Sequence, residues 1–210
     1  MLSYPSSDAR LANAPTMRLF TALDLPDALR DACATYADRL RDAFIESEIS
    51  VRWTDPVTYH TTIRFIGECS EDEAEIYTQV LEEGLTDVSL PANAGVELNP
   101  YGLGVLPTRL SPRVLMVGLQ QTRSIATLYK TVTTALEGAG LDEADNSFRP
   151  HVTLARLDDK PDPEEVYHIL RNIDPVDTSA ATVPHLTLFK SENTSEGVRH
   201  EGLRQFDLTV

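Results

Sequence analysis

Apolar and polar positions follow two rhythms along this chain, and the points where one gives way to the other outline its elements. RLFTALDL, residues 18–25, is an almost unbroken apolar run and predicts a buried strand. A helix follows, opened at Asp24 or Pro26, because Leu29, Cys33, Tyr36, Leu40 and Phe44 recur at a 3.6-residue period. Val51 to Trp53 and Tyr59 to Ile66 predict two strands. Ser70 with Glu73 forms a capping box, which starts a second helix running to about Glu83 with Ala74, Tyr77 and Leu81 turned inward. Residues 88–119 predict several strands broken by Pro and Gly, of which VLMVGL is the clearest. An amphipathic helix from about Thr122 to Leu136 ends at Gly138-Ala139-Gly140. Beyond it come a strand through FRPHVTLAR, a helix from about Pro163 to Arg171, a strand at LTLF and a C-terminal strand ending in FDLTV. Residues 1–16 fit neither rhythm: they are polar, carry two Pro and precede a second Met, and are expected to be a disordered or extraneous leader.

Composition narrows the class. At 210 residues the chain fits one large domain or two small lobes, with ample apolar residues for a core. No stretch approaches the roughly 20 apolar residues of a membrane span, and the start lacks the basic and apolar regions of a signal peptide. A cytoplasmic protein is the expectation, with a monomer as the default because no exposed interaction helix stands out. The two cysteines, Cys33 and Cys69, fall on separate elements and are expected to be free thiols. No C-x-x-C or H-x-x-x-H spacing supports a metal, and none is expected.

A net charge of −15 argues against a protein that tracks long nucleic acid by neutralising many phosphates. A single terminal phosphate needs only a local cluster of cations, and Arg64, Arg109, Arg113, Arg149, Arg156 and Lys190 lie in or near the segments that carry the chemistry described next.

Two His-x-Thr tripeptides stand on strand-like stretches, His60-Thr61-Thr62 and His151-Val152-Thr153. Residues i and i+2 share a strand face, so each His is paired with a hydroxyl, at Thr62 and Thr153. Two imidazoles can supply an acid and a base at neutral pH, and two hydroxyls can hold the non-reacting oxygens of a phosphate. The tripeptide alone is weak: with five His and 21 Thr, about 0.5 would occur by chance, and His185-Leu186-Thr187 is a third example. Context separates them. His60 leads into Phe65 and Gly67, His151 into Leu154, Ala155 and Arg156, but His185 into Phe189-Lys190-Ser191, so His185 is expected to be structural or on the surface.

With these contexts the chain resembles the 2H phosphoesterase superfamily, in its RNA 2',3'-cyclic phosphodiesterase branch, once called 2'-5' RNA ligases. RLFTALDLP (18–26) is similar to the family's opening strand, VRWTDPVTYHTTIRFIGE (51–68) and FRPHVTLAR (148–156) to its two motifs, and LTLFKSE (186–192) to its late strand. The departures are Thr61 and Ile63 around the first Thr, and Met116 where an aromatic is frequent. The resemblance implies an α+β, bilobal fold: two pseudo-symmetric lobes of mainly antiparallel sheet flanked by helices, within one domain over 17–210, with the motif strands facing across a cleft. The order strand, helix, motif strand, helix occurs twice and agrees with it.

The resemblance further implies hydrolysis of an RNA or nucleotide 2',3'-cyclic phosphate to a 2'-phosphate without cofactor or metal. His60 is then the proton donor, His151 the acceptor, and Thr62 and Thr153 the phosphate ligands. Run backwards, the reaction becomes ATP-independent 2'-5' ligation. Residue order alone leaves the two His roles interchangeable. By parity Arg64 shares the face of His60 and is either a phosphate contact or a surface charge, while Phe65 points away, into the core. Arg156 has the parity opposite to His151, which favours a salt bridge unless the strand turns there, and its place in the motif favours a substrate contact. Phe148 fits either stacking on a base or core packing. Competing readings are another cyclic phosphate or a 2'-5' oligonucleotide as substrate, and a catalytically idle RNA-end-binding module; retention of both His disfavours the last.

Overall fold

The computed structural model of the protein describes residues 17–86, 88, 90, 95–144, 148–158, 160–194 and 197–209. The expected leader, residues 1–16, lies outside them. The chain runs β1 (Met17–Asp24), α1 (Asp27–Glu46), β2 (Val51–Trp53), β3 (His60–Cys69), α2 (Glu71–Leu85), β4 (Val96–Leu98), β5 (Pro100–Thr108), β6 (Ser111–Leu119), α3 (Arg123–Gly138), β7 (His151–Leu157), α4 (Pro163–Asn172), β8 (Ala181–Val183), β9 (His185–Thr194) and β10 (Gly197–Asp207). Two four-stranded antiparallel sheets result, ordered β10-β9-β1-β3 and β2-β7-β6-β5, with β4 and β8 as a separate pair.

Helix starts follow the residues that mark them. Ser70 Oγ accepts from the Glu73 N–H while the Glu73 carboxylate accepts from the Ser70 N–H, which is the capping box expected of α2. Thr122 caps α3 and Asp162 caps α4, each side chain accepting a first-turn N–H. The periodic residues of α1, Leu29, Cys33, Tyr36, Leu40 and Phe44, are all buried.

Helices cross between the lobes. α1 leaves the first sheet but packs on β7 of the second, where α4 joins it against β6. α3 leaves the second sheet but packs on β3 of the first, beside α2. Each outer face is therefore covered by helices from both halves of the chain, and neither lobe closes its core alone. Ile125, Leu128 and Leu136 of α3 and Leu40 and Phe44 of α1 are almost fully buried. Truncation of any of these leucines to Ala is worth roughly 2–5 kcal/mol. Cys33 and Cys69 are free and buried, and burial pushes their thiols up to about 12 and about 11.

One local feature repeats at the same place in both motif strands. Thr21 pairs with Arg64 and Ala22 with Thr62, so Ile63 is an extra residue in β3; Leu115 pairs with Ala155 and Met116 with Thr153, so Leu154 is an extra residue in β7. Both bulges fall three residues after the motif His. A bulge resets the alternation of side chains. Beyond it Arg64 and Ala155 turn toward the helices, and Phe65 and Arg156 turn back to the face that carries the histidines.

Phe65 is thus corrected from its expected place in the core: it is 65 % exposed on the His60 face, 6.2 Å from the Phe20 ring. Arg64 turns the other way. Its guanidinium donates to the Asp142 carbonyl at 2.5 Å and lies 4.0 Å from Glu137, at the end of α3. The shared face that parity predicted for Arg64 is lost to the bulge, and its role there is to tie β3 to α3.

Candidate active site

β3 of the first sheet and β7 of the second are in contact, which brings the two motif strands together. Each motif histidine is held in the same way. The Nδ1–H of His60 donates to the Thr58 carbonyl at 2.8 Å, and that of His151 to the Arg149 carbonyl at 2.7 Å. A carbonyl can only accept, so Nδ1 carries the proton in both rings and Nε2 is the reactive nitrogen. In His60 that Nε2 lies 3.2 Å from the Thr62 hydroxyl, the hydrogen bond expected of residues i and i+2.

The electrostatics follow from burial. His60 is pushed below the ordinary imidazole range by desolvation, against the opposing pull of the Thr58 carbonyl and the Asp24 carboxylate. His151 is also lowered by desolvation, with the Arg149 carbonyl opposing and the charges of His60 and Arg156 lowering it further. The two rings therefore sense each other, and one imidazolium discourages the second. Such a pair disfavours the state in which both rings are charged.

The remaining residues separate into those drawn to the site and those held elsewhere. Arg156 is exposed on the His151 face because of the Leu154 bulge, and its charge acts on His151. Arg149 donates to the Pro107 carbonyl at 3.1 Å. Arg109 pairs with Glu164 at 3.4 Å and lies over the Tyr167 ring at 4.3 Å, against α4. Lys190 pairs with Glu192 at 2.6 Å and lines a groove beside α2. Phe148 is half-buried and stacks on Tyr129, with ring centroids 4.0 Å apart.

His185 is exposed at the start of β9, opposite Asp207. Its tripeptide still has a use. Thr187 is buried and donates to the Asp24 carboxylate at 2.9 Å, and Asp24 is the cross-strand partner of His60. The third Thr thus supports the carboxylate that opposes the desolvation of His60. Asp24, Thr187, Phe189, Gly202 and Gln205 line a cavity of about 480 Å³ on this side of the cleft.

Local pattern reading misses His200. It reaches the site through β10, with its ring 5.3 Å from that of His60 at 89° and 4.9 Å from Phe20; Phe20 in turn stacks on Phe189 at 5.2 Å. Its buried Nδ1 has no hydrogen-bond partner among the described residues. Desolvation and the charge of His60 both lower it. Nothing around VRHEG marks this histidine, since only the pairing of β9 with β1 and β10 brings it to β3. Among the described residues no group of three or more His, Cys, Asp or Glu is arranged to hold a metal ion, and no helix is long and apolar enough to cross a membrane.

Residues 60–195, from the first motif histidine through β9, match the model of the 2'-5' RNA ligase superfamily. The chain belongs to the 2'-5' RNA ligase superfamily. Within it, the RNA 2',3'-cyclic phosphodiesterase of Archaeoglobus fulgidus is 29 % identical over 91 % of this chain and 100 % of its own length. The enzyme of the same name from Methanothermobacter thermautotrophicus is 22 % identical over 91 % of this chain and 99 % of its own. The superfamily fold is equally plain in solved structures. A protein of Thermus thermophilus superposes with a TM-score of 0.73 at 24 % identity, over 92 % of this chain and 98 % of its own. E. coli LigT complexed with 3'-AMP gives 0.68 at 22 %, over 93 % and 99 %. These confirm the bilobal α+β architecture that the family resemblance implies.

Proposed function

We propose that this protein hydrolyses RNA or nucleotide 2',3'-cyclic phosphates to 2'-phosphates, with His60 and His151 as acid and base. The observation that carries this reading is the matched pair of imidazoles, each fixed through Nδ1 to a carbonyl two residues earlier and each offering Nε2. Relatives over nine-tenths of the chain bear the name of that activity.

The chemistry requires both rings. Water attacks phosphorus as His151 Nε2 takes its proton. The bond from phosphorus to the ribose 3'-oxygen breaks, and that oxygen takes a proton from His60 Nε2. The product carries a 2'-phosphate and a free 3'-hydroxyl. The two rings end with their protonation exchanged, and solvent resets them. Thr62 and Thr153 donate hydroxyl hydrogen bonds to the non-bridging oxygens, and the Arg156 guanidinium balances the negative charge that gathers there. Phe148, already stacked on Tyr129, is the weaker candidate for a base contact. With a 5'-hydroxyl in place of water the same steps give 2'-5' ligation without ATP. On this reading the enzyme needs no metal, since proton transfer and charge balance are met by side chains, and it works as a cytoplasmic monomer.

The test is product identity. Adenosine 2',3'-cyclic phosphate incubated with the protein in EDTA and followed by phosphorus NMR is expected to give the 2'-monophosphate alone. A 3'-monophosphate, or no turnover in EDTA with recovery on adding a divalent ion, contradicts the reading.

A further inference from the structure

The second sheet carries an exposed aromatic beside His151 that the mechanism above leaves unused. Tyr101 sits in β5, where Pro100 pairs with Leu119 but Gly102 with Gly118, so Tyr101 is the extra residue of a bulge. Gly102, at φ +122°, takes a backbone conformation that side chains disfavour and thereby turns Tyr101 across its neighbour. The ring lies directly over Gly118: a Cβ there would stand 2.1 Å from Tyr101 Cζ and 2.4 Å from its Oη. Only glycine leaves room for it.

Gly118 is the direct cross-strand partner of His151. Opposed residues of an antiparallel pair share a face and hold their Cβ positions about 5 Å apart. The hydroxyl end of the Tyr101 ring therefore reaches within about one strand spacing of His151, on the same face. One side of the ring rests on β6, and the residue remains 61 % exposed. Among the described residues its hydroxyl has no hydrogen-bond partner. A large exposed aromatic ring, fixed by two glycines beside a reactive group, is suited to receive another flat ring.

In an in-line displacement the attacking and leaving oxygens lie on opposite sides of phosphorus. With His60 at the leaving 3'-oxygen, whatever is attached to the attacking oxygen lies on the His151 side, next to Tyr101. Water carries nothing there. A 5'-hydroxyl carries a whole nucleoside. We propose that Tyr101 is a specificity-determining residue that stacks the base of the nucleoside bonded through its 5'-oxygen, and so serves 2'-5' bond making and breaking rather than hydrolysis by water. This rests on the two-histidine reading of the site and on His151 as the proton acceptor. The step balances without a co-reactant. In ligation the 5'-oxygen bonds to phosphorus and gives its proton to His151, while the 3'-oxygen leaves and takes one from His60; cleavage of a 2'-5' dinucleotide is the reverse.

The experiment compares two reactions of the same protein: hydrolysis of adenosine 2',3'-cyclic phosphate, and cleavage of 2'-5'-linked ApA to that cyclic phosphate and adenosine. Tyr101→Ala is expected to lower kcat/KM for the dinucleotide by about 5- to 150-fold, the worth of one base on an aromatic ring. Hydrolysis of the cyclic mononucleotide is expected to change by less than about 2-fold, and Tyr101→Phe to keep both reactions within that margin. Equal losses in both reactions, no loss in either, or a Phe variant as impaired as Ala overturns the proposal. A wild type that hydrolyses the cyclic phosphate but never cleaves the dinucleotide also overturns it while leaving the hydrolase reading intact. A wild type inactive on the cyclic phosphate overturns the reading on which it stands.

Discussion

His60 and His151 are useful because each has lost a freedom. Their Nδ1 atoms are committed to backbone carbonyls, which fixes the tautomer and leaves Nε2 as the nitrogen able to give or take a proton. Burial lowers both, so in the free protein both favour the neutral form at pH 7. The base needs that form and the acid does not. With His151 as the proposed base and His60 as the proposed acid, deprotonation of His151 sets the acid limb of kcat/KM and loss of the proton from His60 the alkaline limb. With both lowered, the maximum is expected on the acid side of about pH 6.5. A pH series of kcat/KM on a cyclic mononucleotide checks this, and an optimum above about pH 7.5 contradicts it. Arg156 adds a second check. Its charge lowers His151, so Arg156→Gln raises His151 and moves the acid limb to higher pH, alongside a loss of about 10-fold or more in kcat/KM as one charge-assisted phosphate contact disappears.

At the scale of elements, the bulges at Ile63 and Leu154 decide what the cleft contains. Periodicity made the strands and helices legible, and the capping box marked the start of α2 to the residue. It could not reveal the bulges, because an extra residue in a ladder is defined by its partner strand and not by its own sequence. That is why parity put Phe65 in the core and gave Arg64 the face that Phe65 occupies. Asp24, Thr187 and His200 escaped for a related reason: they meet His60 only through long-range pairing of β1, β9 and β10. The histidines and threonines of the motifs were legible because i, i+2 spacing is local and precedes both bulges. A local device also gives a local prediction. Ser70→Ala removes one side of the capping box and is expected to cost about 1 kcal/mol, or roughly 2–4 °C in Tm. Calorimetry reads the shift, and turnover should be unchanged because α2 carries no residue of the site.

At the scale of the molecule, three histidines, His60, His151 and His200, are held below their unfolded values by burial in one cleft. A histidine with a lowered folded value binds fewer protons in the native state, so its stabilising effect is full above about pH 6.5 and is lost as pH falls through the folded value. Melting temperature is expected to drop between about pH 7 and pH 5. His200→Gln removes one of the three and should flatten that drop, while carboxylate titration affects both proteins alike; parallel curves contradict the assignment of His200 to the buried cleft. The shared helices explain why such a cost can be carried at all. α1 and α3 each pack on the sheet of the opposite lobe, so the two sheets are braced against each other by helices from both halves of the chain.

Two-histidine catalysis requires both His60 and His151. The measurement is kcat/KM for an RNA ending in a 2',3'-cyclic phosphate, in EDTA, for wild type, His60→Ala, His151→Ala and His185→Ala. Each of the first two variants is expected to lose about 10²- to 10⁴-fold, and His185→Ala to retain wild-type turnover, since His185 is exposed at the start of β9 opposite Asp207. Undiminished turnover in either His60→Ala or His151→Ala contradicts the account.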